Sequence, residues 1–414
     1  MLSWELPPAI VGGVGMVCAE ICKELSNYND LEIEYAMPYG PQNHMPFSSN
    51  CSVIGVQHQY INSKNFKVTR VPTLLQCYQS PKEYLNVYEE VMNINTGEFK
   101  TPKQLYGENI LQEVELYANR VVEMFKHRKF DVIHAHDWTT AKAAIELKKV
   151  TGIPVIFHVH ITEFDKTGNN GGHEKIIEYE KYGLNNCDAI IAVSNYTKNQ
   201  LINRYHIDEK KIHVVYNAII GDLVKSMTKY PLFNGKKTVL FMGRMTLQKG
   251  PEYFLRAAHK ILQYRDDVNF IIAGGGDQLN SIIQLSFDLG VNNNVFFHGG
   301  AYTRAEAEKY YSCSDVFVMP SVSEPFGVVP YEAIVKGTPT VISKQSGISE
   351  VLKHTLKVDF WDINEMANKI MALLDYDLLY STIQQNAYTE VDTHTWSKSV
   401  NELVSMYRSF EKKY

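Results

Sequence analysis

Two carboxylates and two cations in this chain stand just after apolar runs, where they could act together on one ligand. Glu324 and Glu332 lie in Pro320-Ser321-Val322-Ser323-Glu324-Pro325-Phe326-Gly327-Val328-Val329-Pro330-Tyr331-Glu332-Ala333. An apolar run ends near Met319, a Pro/Gly loop follows, and helical sequence begins near Val328. Glu324 therefore belongs to the loop, and Glu332 lies about one turn inside the helix. The amides of Phe326, Gly327, Val328 and Val329 are open at the helix start, where the dipole favours an anion. Arg244 and Lys249 follow another apolar run, which ends at Met242 and turns at Gly243. A guanidinium fork and an ammonium point charge together suit a diphosphate. As acid and nucleophile the carboxylates could instead serve a glycosidase, but that leaves both cations without a task.

Two further clusters carry weaker signals. In Val11-Gly12-Gly13-Val14-Gly15 the glycines Gly12 and Gly13 precede a helical pattern. Such a loop lets backbone amides approach a phosphate, or it is simply a tight turn. It is not the full dinucleotide fingerprint, which argues against NAD. His134, His136, His158 and His160 stand at the ends of two apolar runs, and residues two apart in a strand share a face. Four imidazoles at one sheet edge could hold zinc. No carboxylate or thiolate spacing supports a metal site there, so hydrogen bonding to sugar hydroxyls or to backbone is the preferred use. No D-x-D motif that would hold a divalent ion is evident.

These residues need a scaffold of alternating strands and helices. Apolar runs rich in Val, Ile and Phe predict buried parallel strands at Leu31–Met37, Phe66–Val71, Asp131–Ala135, Val155–Val159, Ala189–Val193 and Ile212–Val215. A second series is predicted at Thr238–Met242, Asn269–Ala273, Val295–His298, Val316–Met319 and Thr338–Ile342. Val14, Val17, Cys18, Ile21, Cys22 and Leu25 follow helical spacing, as do Tyr253, Phe254, Ala257, Ala258, Ile261 and Leu262 behind Pro251. The polar stretch Asn93–Asn109 reads as a loop or insertion. The alternation predicts α/β architecture in two doubly wound sheets. The predicted boundaries are residues 1–220, a linker at 221–237, residues 238–390 and a C-terminal segment 391–414.

The 414 residues suit two domains of about 200 residues each. The chain has 41 Lys and Arg against 46 Asp and Glu, a net charge of −5. That balance argues against nucleic acid as the main partner. Six cysteines at irregular spacing, with no C-x-x-C pair, predict reduced thiols in a cytoplasmic protein. No secretory leader pattern is visible, and no apolar run reaches the roughly 18 residues of a membrane span.

With Glu324 and Glu332 spaced as E-x7-E, Gly243-Arg244, Lys249-Gly250 and the Gly12-Gly13 loop, the chain resembles family 4 of the retaining glycosyltransferases. It also resembles the related bacterial and archaeal glycogen synthases. Ser194-Asn195-Tyr196-Thr197 and Ser346-Gly347-Ile348-Ser349-Glu350-Val351 carry the likeness over nearly the whole chain. The resemblance implies a GT-B fold, two Rossmann-like domains facing a central cleft, with a helix in Trp396–Phe410 crossing back. It implies catalytic roles for His160, Arg244, Lys249 and Glu324. The donor would be held by Gly12, Gly13, Arg244, Lys249, Phe326, Gly327, Val328, Val329 and Glu332. His136 and Asp137, in His134-Ala135-His136-Asp137-Trp138, would line the acceptor path. The expected donor is a UDP- or ADP-sugar, with no metal or other cofactor. The expected acceptor is a carbohydrate, a glycogen-like α-glucan first. A small sugar, sugar phosphate or lipid-linked acceptor stays open, as do homo-oligomerisation and a catalytically silent carbohydrate-binding role. The chain departs from the pattern at Ile10, where many glycogen synthases have Lys, and at Asn217-Ala218, where Asn-Gly is usual.

Overall fold

The computed structural model describes residues 1–6, 13–38, 45–56, 105–219, 225–230, 235–300 and 303–411. Two sheets organise them. The first is built from β1 (Ile33–Met37), β2 (Met45–Ser48), β3 (Cys51–Gly55), β4 (Ile133–His136), β5 (Val155–Val159), β6 (Ala189–Ala192) and β7 (Ile212–Val214). β1, β3 and β2 pair in that order, and β4 to β7 pair consecutively. Leu2 joins the two groups through parallel bridges to Ala36 of β1 and Ala135 of β4. β2 is antiparallel to β3, and the other described pairings of this sheet are parallel.

The second sheet contains β8 (Lys237–Met242), β9 (Val268–Ala273), β10 (Val295–His298), β11 (Val316–Met319), β12 (Thr340–Ser343) and β13 (Leu356–Val358). All pairings are parallel, in the order β10-β9-β8-β11-β12-β13. That order reverses between β8 and β11, which makes the crevice beyond their carboxyl ends the place for a ligand. In the first sheet the reversal falls between residues 1–3 and β4.

Burial explains which runs became strands. Every residue of β5 and β9 is buried, as a strand covered by helices on both faces demands. The helix Pro251–Leu262 starts on its proline and buries Phe254, Leu255, Ala257, Ala258 and Ile261 on one stripe. The structure adds β2, β3 and β13 to the strands predicted above, and the predicted strand Phe66–Val71 lies outside the described residues. The reading of Asn93–Asn109 as loop is corrected from Leu105 onward, where a helix runs to Phe125. That helix is anchored by Val114, Tyr117, Ala118, Val121 and Phe125, all in the core.

The helix Trp396–Phe410 packs on the first domain. Trp396, Val400, Leu403 and Val404 share a buried cluster with Val17, Cys18, Ile21 and Leu25 of the helix Gly13–Leu25. The Trp396 indole donates to Ile219 O at 2.8 Å, and the Ser399 hydroxyl donates to Tyr216 O at 2.6 Å.

Candidate active site

β8 and β11 deliver their loops to the same crevice. Lys249 Nζ donates to Glu324 Oε2 at 2.6 Å, and Ser321 Oγ donates to the same oxygen at 3.1 Å. Lys249 closes a short turn, Leu247–Lys249, that ends on Gly250 in the left-handed region with φ of 67°. A side chain at Gly250 would bring its Cβ to 2.3 Å from Pro320 O, so only glycine lets the two loops meet. Gly327 has φ of 88°, and a Cβ there would sit 2.7 Å from Glu324 Cγ. Among the described residues, the amides of Phe326, Gly327, Val328 and Val329 have no hydrogen-bond partner. Glu332 lies in the first turn of the helix Val329–Val335, where the Tyr311 hydroxyl donates to it at 2.9 Å. Burial raises the Glu332 carboxyl above its ordinary pKa. Arg244 is half-buried two residues beyond Met242. Gly12 lies outside the described residues, and Gly13 opens the helix Gly13–Leu25.

The four histidines form a buried two-by-two grid. His136 and His158 are register partners on β4 and β5. His134 Nε2 and His158 Nδ1 share a hydrogen bond of 3.2 Å, and His136 Nδ1 and His160 Nε2 share one of 2.9 Å. Tyr407, on the returning C-terminal helix, reaches His134 Nδ1 at 2.6 Å. Burial drives all four imidazoles below their ordinary pKa, so they are neutral at pH 7. His136 Nε2, His158 Nε2 and His160 Nδ1 are buried without a hydrogen-bond partner among the described residues.

Asp137 follows this grid in a strained conformation, with φ of 56° and ψ of 174°. Its Oδ1 accepts from the amides of His160 at 2.7 Å and Ile161 at 3.3 Å. Asp137 thus fastens the turn that carries His160, a task the sequence did not indicate.

Cys18 Sγ also stands near His136 and His160, with candidate ligand atoms within 4.8 Å of one another. No sequence spacing linked this thiol to the histidines. Burial pushes it up to about 12, which keeps it a thiol near neutral pH. The chain's single D-x-D sequence, Asp375-Tyr376-Asp377, sits at a helix junction, where Asp375 pairs with Arg265 at 2.6 Å.

Residues 225–390 match the family model described as Glycosyl transferases group 1, and residues 95–220 match Glycosyltransferase Family 4. Two glycosyltransferase family models thus match successive segments of the chain. An uncharacterized glycosyltransferase of Methanocaldococcus jannaschii is 28% identical over 99% of this chain and 97% of its own length. A D-inositol 3-phosphate glycosyltransferase of Corynebacterium diphtheriae is 26% identical over 77% of this chain and 79% of its own. Among solved structures, sucrose-phosphate synthase of Thermosynechococcus elongatus superposes with a TM-score of 0.72. It shares 19% identity, over 99% of this chain and 97% of its own. The Anabaena protein HepE, in complex with UDP and glucose, gives 0.64 at 16% identity over 99% and 98%. These likenesses show the GT-B fold, with two Rossmann-like domains.

Sequence reasoning assigned no role to two parts of the cleft. Gly274-Gly275-Gly276 follows β9 and packs under the Arg244 loop: a Cβ on Gly274 would meet Gly243 O at 2.0 Å. Met245 N donates to Gly275 O at 2.7 Å. Three glycines after a buried strand were a readable signal. The second part is the contact between domains. Ser194 Oγ donates to Pro325 O at 2.6 Å. Glu350 accepts from the amides of Asn195 at 2.9 Å and Tyr196 at 2.6 Å.

Proposed function

We propose that the chain is a retaining, metal-independent hexosyltransferase. It would move a sugar, glucose first, from a UDP- or ADP-sugar to a hydroxyl of a carbohydrate acceptor. The observation that carries this reading is the Lys249–Glu324 pair, set at the second domain's topological switch point beside the unpartnered amides 326–329.

The mechanism follows from charge. Breaking the donor's glycosidic bond leaves negative charge on the diphosphate and positive character on the sugar. Lys249, Arg244 and the amides of 326–329 would stabilise the diphosphate, each contact contributing about 3 kcal/mol in the transition state. Glu324 would bind the sugar hydroxyls and Glu332 the ribose. His160, neutral and held by Asp137, would hydrogen-bond the sugar beside the reacting carbon. The departing phosphate oxygen would take the acceptor's proton on the same face, which retains configuration without a protein nucleophile.

The His134–Trp138 segment favours a glycogen-like α-glucan as acceptor. A second reading, a small polyol or sugar phosphate, is favoured by the relative that bears the name of an inositol phosphate glycosyltransferase.

Thermal shift with UDP-, ADP- and GDP-sugars, followed by turnover with glucans and small acceptors, tests the reading. An α-linked product from an α-configured donor is expected, and a β-linked product would overturn retention. Binding of a donor without hydrolysis or transfer to any acceptor would leave only a silent binding role. Activity is expected to survive EDTA. Complete loss restored by zinc would reassign Cys18, His136 and His160 as ligands.

A further inference from the structure

The loop that carries Glu324 is held from two sides. Glu324 turns toward its own domain, to Lys249 and Ser321. Its neighbours turn the other way. Ser323, fully buried, donates from Oγ to Asp165 Oδ1 of the first domain at 2.6 Å. Tyr196 Oη lies 2.8 Å from the same Ser323 Oγ. A serine hydroxyl has one hydrogen, already given to Asp165, so the tyrosine donates. The Pro325 carbonyl accepts from Ser194 Oγ at 2.6 Å and Thr197 Oγ1 at 3.3 Å. Residues 323 and 325 thus belong to the first domain's hydrogen-bond network, while residue 324 between them serves the second.

Asp165 is itself firmly placed. It is fully buried in the short helix Glu163–Lys166, five residues beyond His160. Its Oδ2 accepts from Thr162 N at 2.9 Å and from Thr162 Oγ1 at 2.7 Å, which closes a capping box. Its Oδ1 accepts the hydrogen bond from Ser323 of the opposite domain. The loop after this helix presses on the second domain, where Gly168 leaves its would-be Cβ 3.2 Å from Val322 and 3.3 Å from Leu247.

We propose that Asp165 and Ser323 are positioning residues for Glu324: their bond fixes the donor loop only when the two domains are docked. This rests on the reading of Glu324 as a donor-sugar ligand. The carboxylate would then reach its working place in the closed enzyme and not in the open one. Docking of the acceptor-side domain would thereby be a condition for activating the donor. The segment after β5 carries both His160 and, five residues on, Asp165, so both sugar-contacting groups would be set by one docking event.

The test is a mutant cycle read by steady-state kinetics. Ser323→Ala and Asp165→Asn are each expected to lower kcat roughly 10-fold or more, with donor KM within about threefold. The double variant should be no slower than the worse single one. On the activity that Glu324→Gln retains, adding Ser323→Ala should cost less than about twofold. Additive losses, or an undiminished loss in the Glu324→Gln background, would overturn the proposal. An independent readout is small-angle scattering of the ligand-free protein, where Ser323→Ala should show a larger radius of gyration than wild type. Equal radii would overturn the latch whatever the activity. A wild type that turns over no nucleotide sugar would sink the hexosyltransferase reading, and scattering would still decide the latch. Should Ser323→Ala lose its cooperative melting transition, Asp165→Asn, which disrupts the same bond from the other side, takes its place in both measurements.

Discussion

Lys249 and Glu324 neutralise each other at 2.6 Å, and Ser321 supplies a further donor to the carboxylate. A diphosphate entering beside Lys249 would compete with Glu324 for the ammonium and turn the carboxylate toward the sugar. Lys249→Ala and Arg244→Ala are each expected to cut turnover by roughly 10²-fold or more while the melting temperature changes little. Activity within a few-fold of wild type for both would remove the diphosphate assignment. The histidine grid makes a different prediction, about pH. Burial lowers all four pKa values in the folded state, so below about pH 6.5 the unfolded chain binds more protons than the folded one. Their contribution to stability is present above that pH and is lost as pH falls, by about 1.4 kcal/mol per pH unit for each such histidine. Glu180, whose carboxyl burial pushes up to about 8, opposes this with one proton, and burial raises the carboxyls of Asp165 and Glu332 in the same direction. The urea midpoint should therefore fall between pH 7 and pH 5.5. A midpoint that rises on acidification would show that the buried carboxyls outweigh the imidazoles.

At the scale of elements, the glycines at loop crossings are where backbone and chemistry meet. Gly327 combines a φ of 88° with 2.7 Å between its would-be Cβ and Glu324 Cγ. Gly327→Ala is expected to cost about 1–3 kcal/mol of stability through the backbone. It should also lower kcat at least 10-fold by displacing Glu324. Chemical denaturation beside kinetics separates the two, and an alanine variant with normal turnover would show that the loop adapts. The parallel strands were legible because a strand covered on both faces must be apolar throughout, as in Val155–Val159. The β2–β3 hairpin was not, since Pro46 and the run Ser48-Ser49-Asn50 conceal it behind turn residues. The site divides in the same way. Glu324, Arg244 and Lys249 stand in loops marked by Gly and Pro, Glu332 lies in the first turn of the helix that follows, and the structure brings Lys249 and Glu324 together across 75 residues of sequence. Asp165 and Ser323 lie 158 residues apart, and nothing local distinguishes either from a surface residue. Cys18 joins the histidines only because the first helix packs across the sheet.

For the whole molecule, the chain passes between domains twice, and the two passages are tied side by side. The first leaves β7 through Tyr216 and Ile219, and the second returns at Trp396. Trp396 Nε1 donates to Ile219 O at 2.8 Å, and Ser399 Oγ donates to Tyr216 O at 2.6 Å. Two tied crossings would act as a hinge with one axis, permitting closure while resisting twist. The groups proposed for the donor and the sugar come from both sides of that hinge: Gly13 and His160 from one, Lys249 and Glu324 from the other. A donor that bridges them makes all its contacts only when the cleft is shut, and closure also expels the water that would hydrolyse it. The radius of gyration is expected to decrease on saturation with the nucleotide sugar that the enzyme turns over. Trp396→Ala should uncouple the crossings. It removes the indole bond to Ile219 and a side chain that is 7% exposed, in the cluster shared with Val17 and Ile21. That variant is expected to lose about 3 kcal/mol of stability or more and to show a wider spread of domain angles without donor. An unchanged radius at saturating donor, in a protein shown to turn over, would mean a preformed cleft. The tied crossings would then serve to hold the domains together and not to let them move.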